Sequence, residues 1–388
     1  MDSVRIAGVG LTHFGEHPER TSRDMFAEAG LAALEDAGVE PEEVEGVFYG
    51  NFMGELAEHQ GHQGPLAAEA LGIDAQATRY ESACASSGVA VREAVKNVRS
   101  GESDVVLVGG AERMTNLETA ETTESLAIAA DDLYEVRAGM TFPGAYALMA
   151  DAYFDEYGGS REDLAYVAQK NHANAVGNEY AQFRYEIDVE DALDSPPVAE
   201  PLHLYDACPI TDGASAVVVV SEDYAAANDL EAGVRITGTG QGTDKMALQD
   251  REYLARTPAA RDAAEEAFDE AGVGPEDVGA AEVHDCFTIA EVLALEALGF
   301  YDHGEGIDAA RAGETLPDGD LPVNLSGGLK AKGHPVGATG AAQIVEMTRL
   351  LRGDHHNSEH VADASVGVTH NAGGTVASTV VHVLEVDR

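Results

Sequence analysis

Lysine is nearly missing from this chain. Across 388 residues it occurs only at Lys96, Lys170, Lys245, Lys330 and Lys332. Lys and Arg together number 23 against 70 Asp and Glu, a formal net charge of −47. Such a surface repels phosphate backbones and anionic lipid headgroups, which argues against nucleic acid and membrane as partners. Cysteine is scarce as well: only Cys84, Cys208 and Cys286 are present. They cannot build a disulfide framework, and their scarcity suits a reducing compartment. No apolar run approaches the ~20 residues needed to cross a bilayer. The start, Met1-Asp2-Ser3-Val4-Arg5-Ile6, lacks the basic and apolar regions of a signal peptide. Low-complexity tracts are missing too. A cytoplasmic protein is expected.

The acidic residues are spread along the chain rather than gathered in a tail. In molar salt the screening length falls to about 3 Å and their mutual repulsion largely vanishes. The excess therefore reads as adaptation to a high-salt cytoplasm, not as a binding patch. Hydrophobic content is 44%, and the length allows two or three domains with a sizeable core.

The chain repeats itself. Leu34-Glu35-Asp36-Ala37-Gly38-Val39-Glu40-Pro41-Glu42-Glu43-Val44 returns as Phe268-Asp269-Glu270-Ala271-Gly272-Val273-Gly274-Pro275-Glu276-Asp277-Val278. Each copy ends an amphipathic helix at a glycine, then turns through proline into an apolar strand. Those strands are expected at Gly46–Tyr49 and Ala280–Val283. Val-rich runs at Val105–Val108, Val217–Val220 and Val380–Leu384 suit strands covered on both faces. The reading is α/β, two related halves around mixed sheets. The first half comprises residues 1–113 and 205–232, the second 233–388. The polar stretch 114–204 is read as an insertion of the kind that covers a site.

Four segments carry chemistry. In Glu81-Ser82-Ala83-Cys84-Ala85-Ser86-Ser87-Gly88 the thiol is expected at the first turn of a helix, where the backbone dipole favours thiolate. The competing reading is a small buried hydrophobe. In Lys330-Ala331-Lys332-Gly333-His334-Pro335-Val336-Gly337-Ala338-Thr339-Gly340 one histidine sits on a tight loop before a helix. A neutral imidazole there could take a proton from a thiol. Lys330 and Lys332, clustered in a chain that avoids lysine, suggest attraction of an anionic substrate. In His284-Asp285-Cys286-Phe287, histidine and cysteine two apart at a strand end point to one side. Zinc competes for this segment, but no CxxC or HxxxH spacing accompanies it, so no metal is expected. Cys208 lacks a helix-start context and reads as structural or pocket-lining. Thr369-His370-Asn371-Ala372-Gly373-Gly374-Thr375 reads as a glycine turn after a strand, with N–H groups free for an oxyanion.

Together these motifs, their order and the duplication resemble the thiolase superfamily across essentially the whole chain. The resemblance is greatest to its sterol-carrier-protein-2-type and archaeal members. Ordinary thiolases carry Asn-Glu-Ala-Phe where this chain has His284-Asp285-Cys286-Phe287. They also carry a second reactive cysteine where this chain has Asn371. The resemblance implies duplicated βαβαβαββ halves in five layers, α/β/α/β/α, with an inserted loop domain. It implies a reversible Claisen condensation of acyl-CoA thioesters through an acyl-cysteine, with no bound cofactor. Cys84 would be the nucleophile, His334 its base, and Cys286 the proton shuttle in place of the missing cysteine. His284 and His334 would hold one thioester oxygen, and the N–H groups of Cys84 and Gly373 another. His370 and Asn371 would orient these groups. Lys330, Lys332 and Arg113 are candidates for holding CoA. A homodimer or tetramer is implied. A separate zinc-ribbon/OB-fold subunit and a hydroxymethylglutaryl-CoA synthase are candidate partners. Two alternatives stand beside this: another condensing enzyme of the superfamily (ketosynthase or hydroxymethylglutaryl-CoA synthase), and a non-catalytic acyl-CoA-binding or scaffold subunit. The His284-Asp285-Cys286-Phe287 segment and the Gly333-His334-Pro335-Val336-Gly337 motif disfavour the first, and retention of Cys84, His284, Cys286 and His334 together disfavours the second.

Overall fold

The computed structural model describes residues 4–386. Its main sheet has nine strands. They are β1 (Val4–Leu11), β2 (Gly46–Gly50), β3 (Gln76–Tyr80), β4 (Val105–Glu112) and β5 (Gly213–Ser221) in the first half. The second half supplies β6 (Val234–Thr243), β7 (Ala280–Glu282), β8 (Val366–Gly373) and β9 (Ser378–Val386). The spatial order is β3-β2-β4-β5-β1-β6-β9-β8-β7. The halves meet where β1 and β6 pair antiparallel, Val4 against Ile236 and Ile6 against Val234. Outward from that seam each half lays down its first, last, fourth and second strand. The duplicated α/β fold expected from the sequence is therefore present, with its two half-sheets joined edge to edge. The second half keeps its third strand only as a bridge between Ala281 and Val323.

Side-chain alternation builds the layers. On β4, Val105 and Leu107 face a cluster with Met25 and Phe26 of α1 (Ser22–Ala37). Val106 and Val108 face the opposite way, onto Val91 and Val95 of α2 (Ser86–Arg99). A strand with both faces covered needs apolar residues at every position, which is why these runs are continuous. In the second half α3 (Pro258–Ala271) covers β6 and β9 from outside. Between the half-sheets lie α2 and α4 (Thr339–Arg352), packed on each other. The result is five layers: outer helix, half-sheet, paired central helices, half-sheet, outer helix.

Between β4 and β5 the chain leaves the sheet for the helices Thr119–Ala127, Phe142–Tyr157, Arg161–Ala175 and Val189–Asp194 and a small ribbon. Among the described residues no helix is long and apolar enough to cross a membrane.

The duplication extends to local geometry. α1 and α3 both stop at a left-handed glycine, Gly38 and Gly272, and both continue into a single 3-10 turn, Pro41–Glu43 and Pro275–Asp277.

Candidate active site

The site forms where the first turns of the two central helices meet. Cys84 lies two residues before α2, whose N-cap is Ala85, so it precedes the helix rather than opening its first turn. Ala83 adopts φ 49°, the left-handed region, and this kink turns the chain from β3 toward the helix. His334 lies between a π-helical turn, Gly328–Lys332, and the 3-10 turn Val336–Ala338 that leads into α4. His284 and Cys286 follow β7 in the loop capped by the helix Thr288–Ala297. The Cys84 sulfur and one nitrogen each of His284 and His334 all lie within 4.8 Å of one another. The two imidazoles meet edge to face, 5.0 Å between centroids.

Hydrogen bonds assign both tautomers. Thr339 Oγ1 donates to Pro335 O (3.0 Å), so it accepts from His334 Nδ1 (2.7 Å). His334 therefore carries its proton on Nδ1 and leaves Nε2 as a lone pair. Asn371 Nδ2 donates to Cys84 O (3.0 Å), which fixes its amide, and to His284 Nδ1 (3.2 Å). His284 therefore carries its proton on Nε2, and that atom is buried without a hydrogen-bond partner among the described residues. One imidazole is set up as an acceptor and the other as a donor. This arrangement opposes a resident metal on the Cys84–His284–His334 cluster. A metal on His284 Nε2 would need the proton on Nδ1, where it would meet the Asn371 amide donor.

Burial sets the charge states. It pushes the Cys84 thiol up to about 12, helped by the Cys208 sulfur, and opposed by the Gly374 amide that hydrogen-bonds the sulfur. It pulls His334 down to about 3. At neutral pH both groups are neutral, so the thiolate expected from the helix dipole is not the resting state: desolvation outweighs the dipole. Cys286 is buried and its thiol is raised well above the ordinary value, by burial first and then by Cys208 and Cys84, against a hydrogen bond with Tyr146. Cys208 enters the same cluster, its amide donating to Cys286 O at 3.0 Å.

Other expectations need correction. Lys330 and Lys332 are 1% and 2% exposed, so neither can meet a polyanion at the surface. Lys332 faces Glu346 at 3.7 Å, itself fully buried. Arg113 donates to Pro18 O and lines a separate cavity beside Glu58 and His59. The supposed turn at Thr369–Thr375 is strand as far as Gly373, which places His370 and Asn371 inside β8. His370 Nδ1 accepts the His284 amide (3.3 Å). The peptide amide aimed at the Cys84 sulfur is that of Gly374, one residue beyond Gly373.

Three contributors escaped the sequence reading. Thr339, which orients His334, is an ordinary helix-start threonine by sequence. Tyr146 comes from the polar insertion with no motif around it; its hydroxyl donates its one proton to Gly374 O (3.0 Å). Glu112, at the end of β4, accepts from Asn51 Nδ2, Phe52 N, Met53 N and Gly337 N at 2.7–3.0 Å. It thereby ties the His334 loop to the first half, while burial pushes its carboxyl up to about 8.

Comparison with known proteins agrees with this architecture. Residues 4–223 match the family model described as thiolase, N-terminal domain, and residues 240–386 that described as thiolase C-terminal domain-like. An acetyl-CoA acetyltransferase of Methanothermobacter thermautotrophicus is 43% identical over 384 residues, 99% of either chain. Sterol carrier protein 2 of Rattus norvegicus is 30% identical over 388 residues, 96% of this chain and 70% of its own length. A solved structure described as an Ltp2-ChsH2(DUF35) aldolase superposes with a TM-score of 0.85 at 29% identity, covering 100% of this chain and 98% of its own. Both family halves are matched in order, the duplicated sheet stands behind them, and a relative aligns nearly end to end: the chain belongs to the thiolase family and is an acyltransferase acting on acyl-CoA thioesters.

Proposed function

We propose that this thiolase makes and cleaves acetoacetyl-CoA through an acyl group carried on Cys84. The choice of acyl chain rests on the acetyl-CoA acetyltransferase relative. The observation that carries the reaction is the pair of opposite tautomers within 4.8 Å of the Cys84 sulfur.

The protons then close a cycle. The Cys84 sulfur bonds to the carbonyl carbon of the first thioester as its proton passes to His334 Nε2. The carbon–sulfur bond to CoA breaks, and Cys286 gives its proton to the leaving sulfur. Cys286 is now a thiolate. It removes a proton from the α-carbon of the second thioester, and the carbanion attacks the acyl group on Cys84. The Cys84–acyl bond breaks, and His334 returns the proton to the Cys84 sulfur. Each group ends as it began, so the cycle needs no cofactor.

Charge develops on oxygen twice. Once His334 has taken the thiol proton, it and His284 both present Nε2–H, a matched pair for the enolate oxygen of the second thioester. The amides of Cys84 and Gly374 flank the acylated sulfur and suit the tetrahedral oxygen. Loss of one such donor typically costs ~3 kcal/mol of barrier.

The setting is also proposed. Three of the five lysines, Lys170, Lys330 and Lys332, are buried, which leaves Lys96 and Lys245 on a surface of great acidity. That supports a high-salt cytoplasm, and assays belong in molar KCl. A separate partner subunit is supported by the DUF35 component named with the aldolase relative, and its zinc-ribbon/OB-fold character follows from the family resemblance. A homodimer or tetramer, with a hydroxymethylglutaryl-CoA synthase consuming the product, follows from the family resemblance.

The deciding experiment is Cys84→Ala. It is expected to lower acetyl transfer by about three orders of magnitude or more, to leave the melting curve in place, and to remove the acetyl adduct seen by mass spectrometry. Undiminished turnover would assign the chemistry to another nucleophile.

A further inference from the structure

Asp285 stands between His284 and Cys286 and is fully buried, yet the proton cycle assigns it no step. Its carboxylate joins three segments. Oδ1 accepts the Leu329 amide at 2.6 Å. Oδ2 accepts Asn171 Nδ2 at 2.7 Å and the Lys330 amide at 3.3 Å. Leu329 and Lys330 lie on the π-helical turn Gly328–Lys332, directly before the His334 loop. Asn171 lies on the inserted helix Arg161–Ala175.

The turn is shaped around this side chain. Two successive amides aimed at one carboxylate form an anion-binding concavity. Gly328 opens the turn at φ 55° and leaves the space for it: a Cβ there would lie 2.4 Å from Asp285 Oδ2. The neighbouring buried acid, Glu291, is served by other donors, Lys170 Nζ at 2.6 Å, Asn324 Nδ2 at 2.8 Å and Asn171 Nδ2 at 2.9 Å. The bonds to the turn are made by Asp285.

This tie spans the two sides of the reaction centre. His284 and Cys286 flank Asp285 on one loop. His334 follows the turn, and its ring meets that of His284 at 5.0 Å between centroids. His334 has supports of its own: its amide donates to Thr211 Oγ1 at 3.0 Å and its Nδ1 to Thr339 Oγ1 at 2.7 Å. Loss of the tie therefore leaves His334 and Cys84 held, and frees the His284–Cys286 loop to shift against them.

We propose that Asp285 is a positioning residue that locks the His284–Cys286 loop to the turn before His334, and so sets the geometry of α-proton removal rather than of acylation. The inference rests on the proton cycle above. In that cycle the second thioester must meet three groups at once: the Cys286 sulfur at its α-carbon, and Nε2–H of both His284 and His334 at its oxygen. Two of the three ride on the Asp285 loop. A misplacement of about 1 Å costs on the order of 100-fold in such a step.

The test separates the two halves of the cycle in Asp285→Asn, which keeps the shape of the side chain but turns one acceptor into a donor facing an N–H. Exchange of the methyl hydrogens of acetyl-CoA into D2O reads proton removal. Single-turnover acylation by S-(4-nitrophenyl) thioacetate reads Cys84 and His334, because its leaving thiolate needs no proton. The kcat of exchange is expected to fall about 10- to 100-fold, with KM for acetyl-CoA and the acylation rate each within about twofold of wild type. A carboxylate that only stabilised the fold would lower both rates together, through the folded fraction. Gly328→Ala keeps the charge and displaces the carboxylate from the turn. It is expected to give the same split, and it stands as the measurement should Asp285→Asn not fold. Unchanged exchange in the folded variant, or a parallel loss of exchange and acylation, would overturn the proposal. Wild-type protein that fails to acylate or to exchange would instead remove the proposed function beneath it.

Discussion

In the first half Gly50 and Gly110 face each other across β2 and β4. In the second half the same ladder pairs Ala280 with Gly367, as Gly46 pairs with Val106 in the first. Four residues further on, the positions held by Gly50 and Gly110 are held by His284 and Asn371. A Cβ on Gly50 would lie 2.4 Å from Ser87 N, and one on Gly110 would lie 2.2 Å from Gly337 O. Bare strand ends let the start of α2 and the approach to α4 close onto the first half. Those two segments carry Cys84 and His334. The second half fills the same places with an imidazole and an amide that bind each other at 3.2 Å. One scaffold thus serves for close approach in one copy and for proton placement in the other.

The most severe way to break this comparison is to fill the first-half gap. Gly110→Ala places a methyl against the backbone of Gly337 and Gly50, and backbone cannot rotate away as a side chain can. The expected loss is about 3 kcal/mol of stability, read from denaturant or thermal unfolding in molar KCl. A variant that melts like the wild type would show that the approach of the His334 loop does not depend on the missing side chain.

Emptying the second-half position is the next largest test. Asn371→Ala removes both donors that fix Cys84 O and His284 Nδ1, freeing His284 to take the wrong tautomer. Steady-state kinetics should show kcat lowered about 100-fold, with KM little changed and unfolding displaced by only about 1–2 kcal/mol. A variant that keeps its kcat would mean that the amide only fills space.

How far the sequence reaches follows from where each signal resides. The repeat, the α/β class and the four segments around Cys84, His284, His334 and Asn371 are local strings, and local strings can be read. The thiolate expected at Cys84 was wrong because a helix dipole is local, whereas desolvation depends on everything packed around the sulfur. Lys330 and Lys332 misled for the same reason. A loop rich in glycine and lysine reads as solvated surface, yet a π-helical turn folds both amines inward. Thr339, Tyr146 and Glu112 could not be read at all, since each acts on a residue far away in the chain or through a turn whose shape only the fold defines.

The smallest test asks whether the scaffold itself is still shared. Gly38 ends α1 at φ 65°, ψ 32°, and Gly272 ends α3 at φ 73°, ψ 29°. An added Cβ meets nothing within 4 Å at either position. Alanine there loses only the conformational freedom that the left-handed region demands, about 1 kcal/mol. Gly38→Ala and Gly272→Ala should therefore destabilise equally, and the double variant should show their sum within about 0.5 kcal/mol, as distant independent sites do. Matching unfolding midpoints would place the divergence of the halves in the strand-end residues alone. A midpoint difference well beyond that margin would place part of it in the backbone turns, and the bare and filled strand ends would then no longer suffice to explain the proposed division of acylation and proton transfer between the halves.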